Sequence, residues 1–234
     1  IFMSVRLDDL RTRGLMIYQD SELFCFGTDA ILLADFCRRK KYKNAVDLCC
    51  GTGVIPLLLA EGSEGKIFGV EISDKAAALA KKSVLYNGLE EKIEIINDDL
   101  KNINGKNSPI AFSSFDLVSV NPPYSLSNSG KTAEGHRGVA RTEGACYLED
   151  VVSVGARLLK SGGRFCMINR PERLTDIFCL MRKYKVEPKV LQPVETARGR
   201  APRLILTEGK KDAEPGILFE SSLRIYDNFE YKNL

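Results

Sequence analysis

The segment Ala45-Val46-Asp47-Leu48-Cys49-Cys50-Gly51-Thr52-Gly53-Val54-Ile55 decides the reading of this chain. Residues 45–48 are a short apolar strand, and 54–61 read as a helix. Between them lies a turn that carries two glycines, where backbone can approach a ligand closely. Strand and helix signals alternate outward from this point. A strand is predicted over 66–72 and a helix over 75–87, with Ser73 or Asp74 as its cap and Asn87-Gly88 as its stop. Strands follow at 93–96 and 115–120. A helix over 147–159 ends at Ser161-Gly162-Gly163, and a strand covers 164–169. Pro171 suits the first turn of a helix running to about Tyr184. Strands at 190–194 and 204–207 close the series. Upstream, 15–26 look like a hairpin, and Thr28 or Asp29 is placed to cap a helix to Cys37. Downstream, Ile217, Leu218, Phe219, Leu223, Ile225 and Tyr226 suggest a terminal strand pair. The alternation predicts an α/β protein with a mostly parallel seven-stranded sheet and helices on both faces. We expect one domain over 1–234, with 1–43 a hairpin-and-helix extension of the core 44–234.

Composition agrees. The 234 residues are 44% hydrophobic and 28% charged, ordinary values that exclude a disordered tail, a collagen and a coiled coil. The longest apolar run, 54–60, contains Pro56 and is far below the roughly 18 residues that suggest a membrane span. The first residues, IFMSVRLDDLR, become charged too early for a signal peptide. Seven cysteines without a C-x-x-C and a single histidine, His136, point to a reducing cytoplasm and no structural metal. Cys49 and Cys50 then read as small reduced residues. A lone histidine also argues against histidine-based acid–base or triad chemistry.

The first candidate site is the glycine turn with Asp47 before it. Glu71 ends the next strand, 24 residues after Asp47, where an acid can accept both hydroxyls of a ribose. A pyrophosphate has no use for a carboxylate beside it, whereas a ligand bearing an ammonium and a sulfonium does. Asp47 therefore favours S-adenosylmethionine over NAD or ATP. Val54 also stands where a phosphate-cradling loop would carry lysine.

The second candidate site is Asn121-Pro122-Pro123-Tyr124, directly after the strand 115–120. Ligands of such sheets bind at the carboxyl ends of the strands. The prolines lack N–H groups, so their backbone offers only carbonyl acceptors, and Asn121 adds a side-chain acceptor. Two acceptors can hold the two hydrogens of a planar amine and turn its lone pair out of conjugation. Tyr124 supplies a stacking face, worth about 1–3 kcal/mol per base. The methylated product is acidic, so no strong base is needed, and positioning carries the rate.

Asp47-x-x-x-Gly51-Thr52-Gly53 with Glu71 resembles the first two motifs of class I S-adenosylmethionine-dependent methyltransferases. The resemblance implies a Rossmann-like fold with Asp47, Gly51, Gly53, Glu71 and Asn121 around the cofactor. That family carries glycine where this chain has Cys49, so the turn either keeps negative φ there or tolerates a small side chain. By the same resemblance, Asp99 matches the acid that binds the adenine amine, with Asp98 the alternative. Asn-Pro-Pro-Tyr resembles the catalytic motif of enzymes that methylate planar amines. These include adenine-N6 enzymes on nucleic acid, glutamine-N5 enzymes on release factors and guanine-N2 enzymes on RNA.

Longer matches narrow the choice. They are Arg6-Leu7-Asp8-Asp9-Leu10, Phe26-Gly27-Thr28-Asp29-Ala30, Leu32-Leu33-Ala34, Ala140-Arg141-Thr142-Glu143 and Arg170-Pro171-Glu172-Arg173-Leu174. Together they resemble the tRNA1(Val) (adenine-37-N6)-methyltransferase family, departing from it at Thr142 and Asn169, where that family favours histidine. The resemblance implies a tRNA substrate methylated near the anticodon. It places Thr28 and Asp29 close to the cofactor, where a helix cap is the competing reading.

Charge placement agrees with a polyanion partner. The net +3 divides into +8 over residues 137–211 and −5 elsewhere, the asymmetry of a phosphate-binding face. Arg141, Arg170 and Arg200 are its candidate substrate contacts, with a role in holding the fold the competing reading. The glycine-bearing stretch 125–144 reads as a mobile lid beside the second site. Only 43 residues precede the core, against the helical substrate domain of glutamine methyltransferases. No region is left for the target-reading domain of a DNA enzyme. An inactive cofactor-binding module would not need Asp47, Glu71 and Asn121 to Tyr124 together.

Overall fold

The computed structural model describes residues 5–10, 12, 14–23, 25–103, 110–123 and 148–225. The chain opens with strands β1 (Val5–Asp9) and β2 (Met16–Asp20), paired antiparallel, and helix α1 (Thr28–Arg38). The hairpin thus begins ten residues before the expected stretch. The segment Val-Arg-Leu-Asp-Asp carries three charges in five residues, and its alternation is too short to announce a strand. It pairs because β2 is anchored on the core: the N–H of Met16 donates to Asn87 Oδ1 and that of Tyr18 to Ser83 Oγ.

The core alternates as expected: β3 (Ala45–Leu48), α2 (Val54–Leu59), β4 (Ile67–Glu71), α3 (Asp74–Tyr86), β5 (Ile93–Asn97) and β6 (Phe115–Val120). Ser73 caps α3 through its hydroxyl, which accepts from the N–H of Ala76, and Gly88 beyond its end takes φ 65°. Then follow α4 (Leu148–Leu158), β7 (Leu159–Asn169), α5 (Leu174–Lys183), β8 (Val186–Glu195), β9 (Leu204–Lys211), β10 (Leu218–Phe219) and β11 (Leu223–Arg224).

The main sheet runs β10-β8-β9-β7-β6-β3-β4-β5, with β11 also on β8. It has nine strands where seven were expected. The seven are β3 to β9, parallel except for β9. The extra two are two-residue strands that pair with β8, not with each other. Strands β8 and β9 also run longer than the sequence suggests: β8 begins at Val186, before Pro188, and β9 continues through Glu208–Lys211, which pair with that added stretch. Pro188 sits at a register shift, and Pro193 lies between the short stretches of β8 that β10 and β11 cover. Strand β7 begins immediately after α4. Leu159 pairs with Phe115, the register slips, and Arg164 then pairs with Leu117. Residues 160–163 therefore bulge, with Gly162 at φ 77°.

Side chains alternate between the two faces of the sheet. Ala45, Ile67, Ile95, Leu117 and Cys166 pack with α1, α2 and α3. Val46, Val70, Val118, Phe165 and Met167 pack with α4 and α5. Burial of one such aliphatic side chain contributes about 1.5–3 kcal/mol, so two filled faces fix the strand register that positions the site.

Candidate functional site

The chain leaves β3 toward β4 and β5 on one side, then returns to β6 on the other. Strand order reverses between β3 and β6, and such a reversal opens a crevice beyond the carboxyl ends of the strands. Both candidate motifs lie there. Leu48 pairs with Val120, so the glycine turn and Asn121-Pro122-Pro123 leave adjacent strands at the same level.

Asp47 and Ser119 are also register partners. The Ser119 hydroxyl donates to Asp47 Oδ1 at 2.6 Å, while Oδ2 is buried with no hydrogen-bond partner. Burial pushes the Asp47 carboxyl well above the usual carboxylate range. The Ser119 bond pulls it down and the nearby Glu71 charge pushes it up further. A buried carboxylate oxygen without a donor is costly, and a ligand's cation or donor can answer it.

The turn after Asp47 is left-handed at three positions: Cys49 (φ 60°), Gly51 (φ 56°) and Gly53 (φ 88°). Negative φ at Cys49 is thus excluded, and the position instead tolerates a small side chain in a conformation usually left to glycine. A Cβ on Gly53 would stand 3.1 Å from the Ala80 Cβ, so Gly53 also lets the turn pack against α3. Glu71 closes the turn from β4. Its Oε2 accepts from the N–H of Gly51 at 2.8 Å and its Oε1 from that of Ser73 at 2.9 Å. Burial raises this carboxyl as well, and those backbone bonds restrain the rise.

Ile72, the next residue, is 46% exposed. An exposed isoleucine beside two acids at the strand ends suits the flat face of a purine. In the sequence, an apolar residue ending an apolar strand carries no signal of such a role. Ser119 carries no signal of its own for a similar reason, although it is the register partner of Asp47, the one polar residue of β3.

Asp99 lies at the carboxyl end of β5 and accepts from the N–H of Lys101 through Oδ1. Asp98 Oδ1 accepts from the N–H of Asp99 and from Asn102 Nδ2. Both acids thus hold the tight turn Leu100–Asn102, and Asp99 keeps its second oxygen near the Lys101 ammonium at 3.5 Å.

Helix α1 is capped by Gly27 without a side-chain hydrogen bond, so neither Thr28 nor Asp29 is the cap. Asp29 Oδ1 accepts from the N–H of Ala30. The carboxyl end of α1 meets β7 just past its bulge, where Arg164 Nη2 donates to the Cys37 carbonyl, and Lys40 and Lys41 beyond it lie beside Asp116 and Lys160 at the amino ends of β6 and β7. Thr28 and Asp29 therefore lie toward the opposite, crevice end of the sheet.

Beyond β7, the Asn169 side chain accepts from the N–H of Arg170, and Arg170 is exposed. Arg200 is exposed in the connection from β8 to β9. Strand β8 runs parallel to β7, since both are antiparallel to β9, so this connection lies at the crevice edge as well. Tyr124, Arg141, Thr142 and the expected lid over 125–144 lie outside the described residues.

Among the described residues, the basic segment does not form one face. Arg182 and Lys183 lie at the other edge, paired with Glu187 and Glu149, and Arg164 is buried against Glu208. Arg170, Arg198, Arg200 and Arg203 share the crevice edge.

The donor set fits S-adenosylmethionine: an unanswered buried carboxylate oxygen for a cation, a second carboxylate on the neighbouring strand for hydroxyls, and a side-chain-poor turn between them. Among the described residues, no group of three or more His, Cys, Asp or Glu is placed to hold a metal ion. No helix among them is long and apolar enough to cross a membrane.

Residues 24–184 match the family model of the methyltransferase small domain. The chain is 28% identical over 187 residues to a tRNA1(Val) (adenine(37)-N6)-methyltransferase of Porphyromonas gingivalis, covering 78% of this chain and 72% of that protein. It is 28% identical over 193 residues to the protein of the same name from Tolumonas auensis, covering 81% and 78%. Among solved structures, a predicted O-methyltransferase from Agrobacterium tumefaciens superposes with a TM-score of 0.68 at 19% identity, over 85% of this chain and 88% of that one. A tRNA m1G37 methyltransferase from M. jannaschii gives 0.64 at 16% identity, over 90% and 58%.

Proposed function

The chain belongs to the methyltransferase small domain family, and on that premise we propose that it methylates the exocyclic N6 of an adenosine in tRNA, near the anticodon. The observation that carries this reading is the pairing of Leu48 with Val120, which brings the Asp47 turn and Asn121-Pro122-Pro123 to one crevice. The likeness to relatives named for adenine-37 of tRNA1(Val) supports the choice of acceptor.

S-adenosylmethionine supplies an electrophilic methyl group when bound. Asp47, backed by Ser119, answers its cationic end. Glu71 takes the ribose hydroxyls, Ile72 lies against the adenine ring, and Asp99 accepts from the adenine amine. Gly51 and Gly53 keep the turn between them clear of side chains, with Cys49 at its start. Thr28 and Asp29, at the crevice end of α1, complete the cofactor surroundings.

The acceptor amine is conjugated with its ring and a poor nucleophile. The Asn121 side-chain oxygen and the carbonyl of Pro122 accept its two hydrogens, while Pro123 stiffens the turn and Tyr124 stacks on the ring. Held so, the nitrogen lone pair leaves the ring plane and faces the methyl group. Transfer makes an ammonium that sheds its proton to water. Near-attack positioning of this kind can lower a barrier by about 7–11 kcal/mol. Arg170 and Arg200, at the same edge, meet the phosphates that flank the base, as does Arg141.

The test is transfer of label from S-adenosylmethionine to total unmodified tRNA by the native chain and by Asn121→Ala. Labelled tRNA is expected from the native chain. The variant should keep cofactor affinity within about twofold and lose at least 100-fold in turnover, the scale of a lost positioning contact. Label in protein alone, or equal loss of binding and turnover, would overturn the reading.

A further inference from the structure

At the opposite edge of the sheet, about 20 Å from the crevice by the length of β6, the surface opens into a cleft of about 240 Å3. Five cations line it, Lys40, Lys41, Lys160, Arg164 and Lys210, against two acids, Asp116 and Glu208.

Both acids are already engaged. Glu208 Oε2 accepts from Arg164 Nη1 at 3.0 Å, and Oε1 from the Lys40 ammonium at 2.5 Å. Asp116 Oδ2 accepts the N–H groups of Lys43 and Asn44, and Oδ1 pairs with Lys160. The lining keeps a net charge of +3 from these side chains. Lys41 and Lys210 are exposed and have no carboxylate partner among the described residues.

The floor is rigid. Buried Arg164 also donates from Nη2 to the carbonyls of Cys37 at 2.8 Å and Lys40 at 3.0 Å, which ties the end of α1 to β7 and β9. The bulge at Gly162 and Gly163 forms one wall without side chains.

We propose that this cleft is an anion site for a phosphate group, held by Lys41, Lys210 and Lys160 over the Arg164–Glu208 floor. A cleft lined by point-charge ammoniums suits phosphate better than an apolar acid. The group comes from an RNA backbone or from a small phosphorylated solute. The site is separate from the methyl-transfer crevice and does not rest on the substrate proposed there.

The probe is inorganic phosphate, titrated calorimetrically at constant ionic strength with chloride as the balancing anion. The native chain should bind it saturably. The double variant Lys41→Gln/Lys210→Gln should weaken it at least tenfold with an unchanged melting temperature, and Lys81→Gln, elsewhere on the surface, should leave it unaltered. Heat that never saturates, or equal affinity in native chain and double variant, would overturn the site.

A second arm identifies the source by tRNA binding across a salt series. A backbone phosphate predicts that the double variant loses about 0.9 from the salt slope for each phosphate released. A small solute predicts an unchanged tRNA slope with phosphate binding still lost.

Discussion

Asp47 stands between burial and charge. Its folded-state proton affinity is raised, chiefly by burial. A raised carboxyl stabilises the folded state at low pH, and that contribution is lost as pH climbs from 3.8, its ordinary value, through the raised folded value. The unliganded chain should therefore lose stability as pH rises across that window. Cofactor affinity should rise over the same window, because the cation prefers the ionised form. Asp47→Asn should flatten both profiles, read by denaturation and calorimetry across pH. Parallel profiles for native and variant would remove Asp47 from the cation's site. Cys49 makes a second prediction. A left-handed non-glycine residue costs about 1–2 kcal/mol, so Cys49→Gly should raise stability by about 1 kcal/mol, net of the glycine's extra unfolded entropy. A loss of stability in urea would show that the thiol's packing outweighs the strain. Asp47 and Glu71 were legible because a glycine turn between apolar runs flags its neighbours. The conformation at Cys49 was not, since φ is set by closure of the turn between β3 and α2.

Among the elements, β3 to β6 and α3 lie within about two residues of their expected bounds, because each is an apolar run ended by glycine or a polar cap. β1 and β8 were harder, for opposite reasons. β1 is too polar to read as a strand and exists because β2 is tied to Ser83 and Asn87. β8 contains two prolines that its irregular edge accommodates. Helix α4 shows how closely its face approaches the sheet. A Cβ on Gly155 would stand 2.4 Å from Phe165 Cε2 and 3.2 Å from Val118 Cγ1. Gly155→Ala should destabilise by about 1–3 kcal/mol, as overpacked cores do, shifting the urea midpoint down. An unchanged midpoint would mean that α4 can slide away from β7 at little cost. Since α4 packs on Val118 of β6, and β6 leads directly into Asn121, a shift in α4 would also move Asn121.

For the whole molecule, the topology converts separated motifs into one site. Asp47, Glu71 and Asn121 span 74 residues of sequence, yet the reversal between β3 and β6 brings all three to the carboxyl edge. That convergence was legible, since strand–helix alternation fixes which strand ends share an edge. The charge arithmetic was less so. The +8 of residues 137–211 reads as one face, but β7, β8 and β9 run edge to edge and distribute its arginines and lysines between both ends of the sheet. Among the described residues, Arg170, Arg198, Arg200 and Arg203 form the group at the crevice edge. The identity of the acceptor is decided by digesting tRNA labelled by this chain and identifying the methylated nucleoside by chromatography. N6-methyladenosine is the expected product. A methylguanosine, or label recovered as methylglutamine in protein, would contradict it.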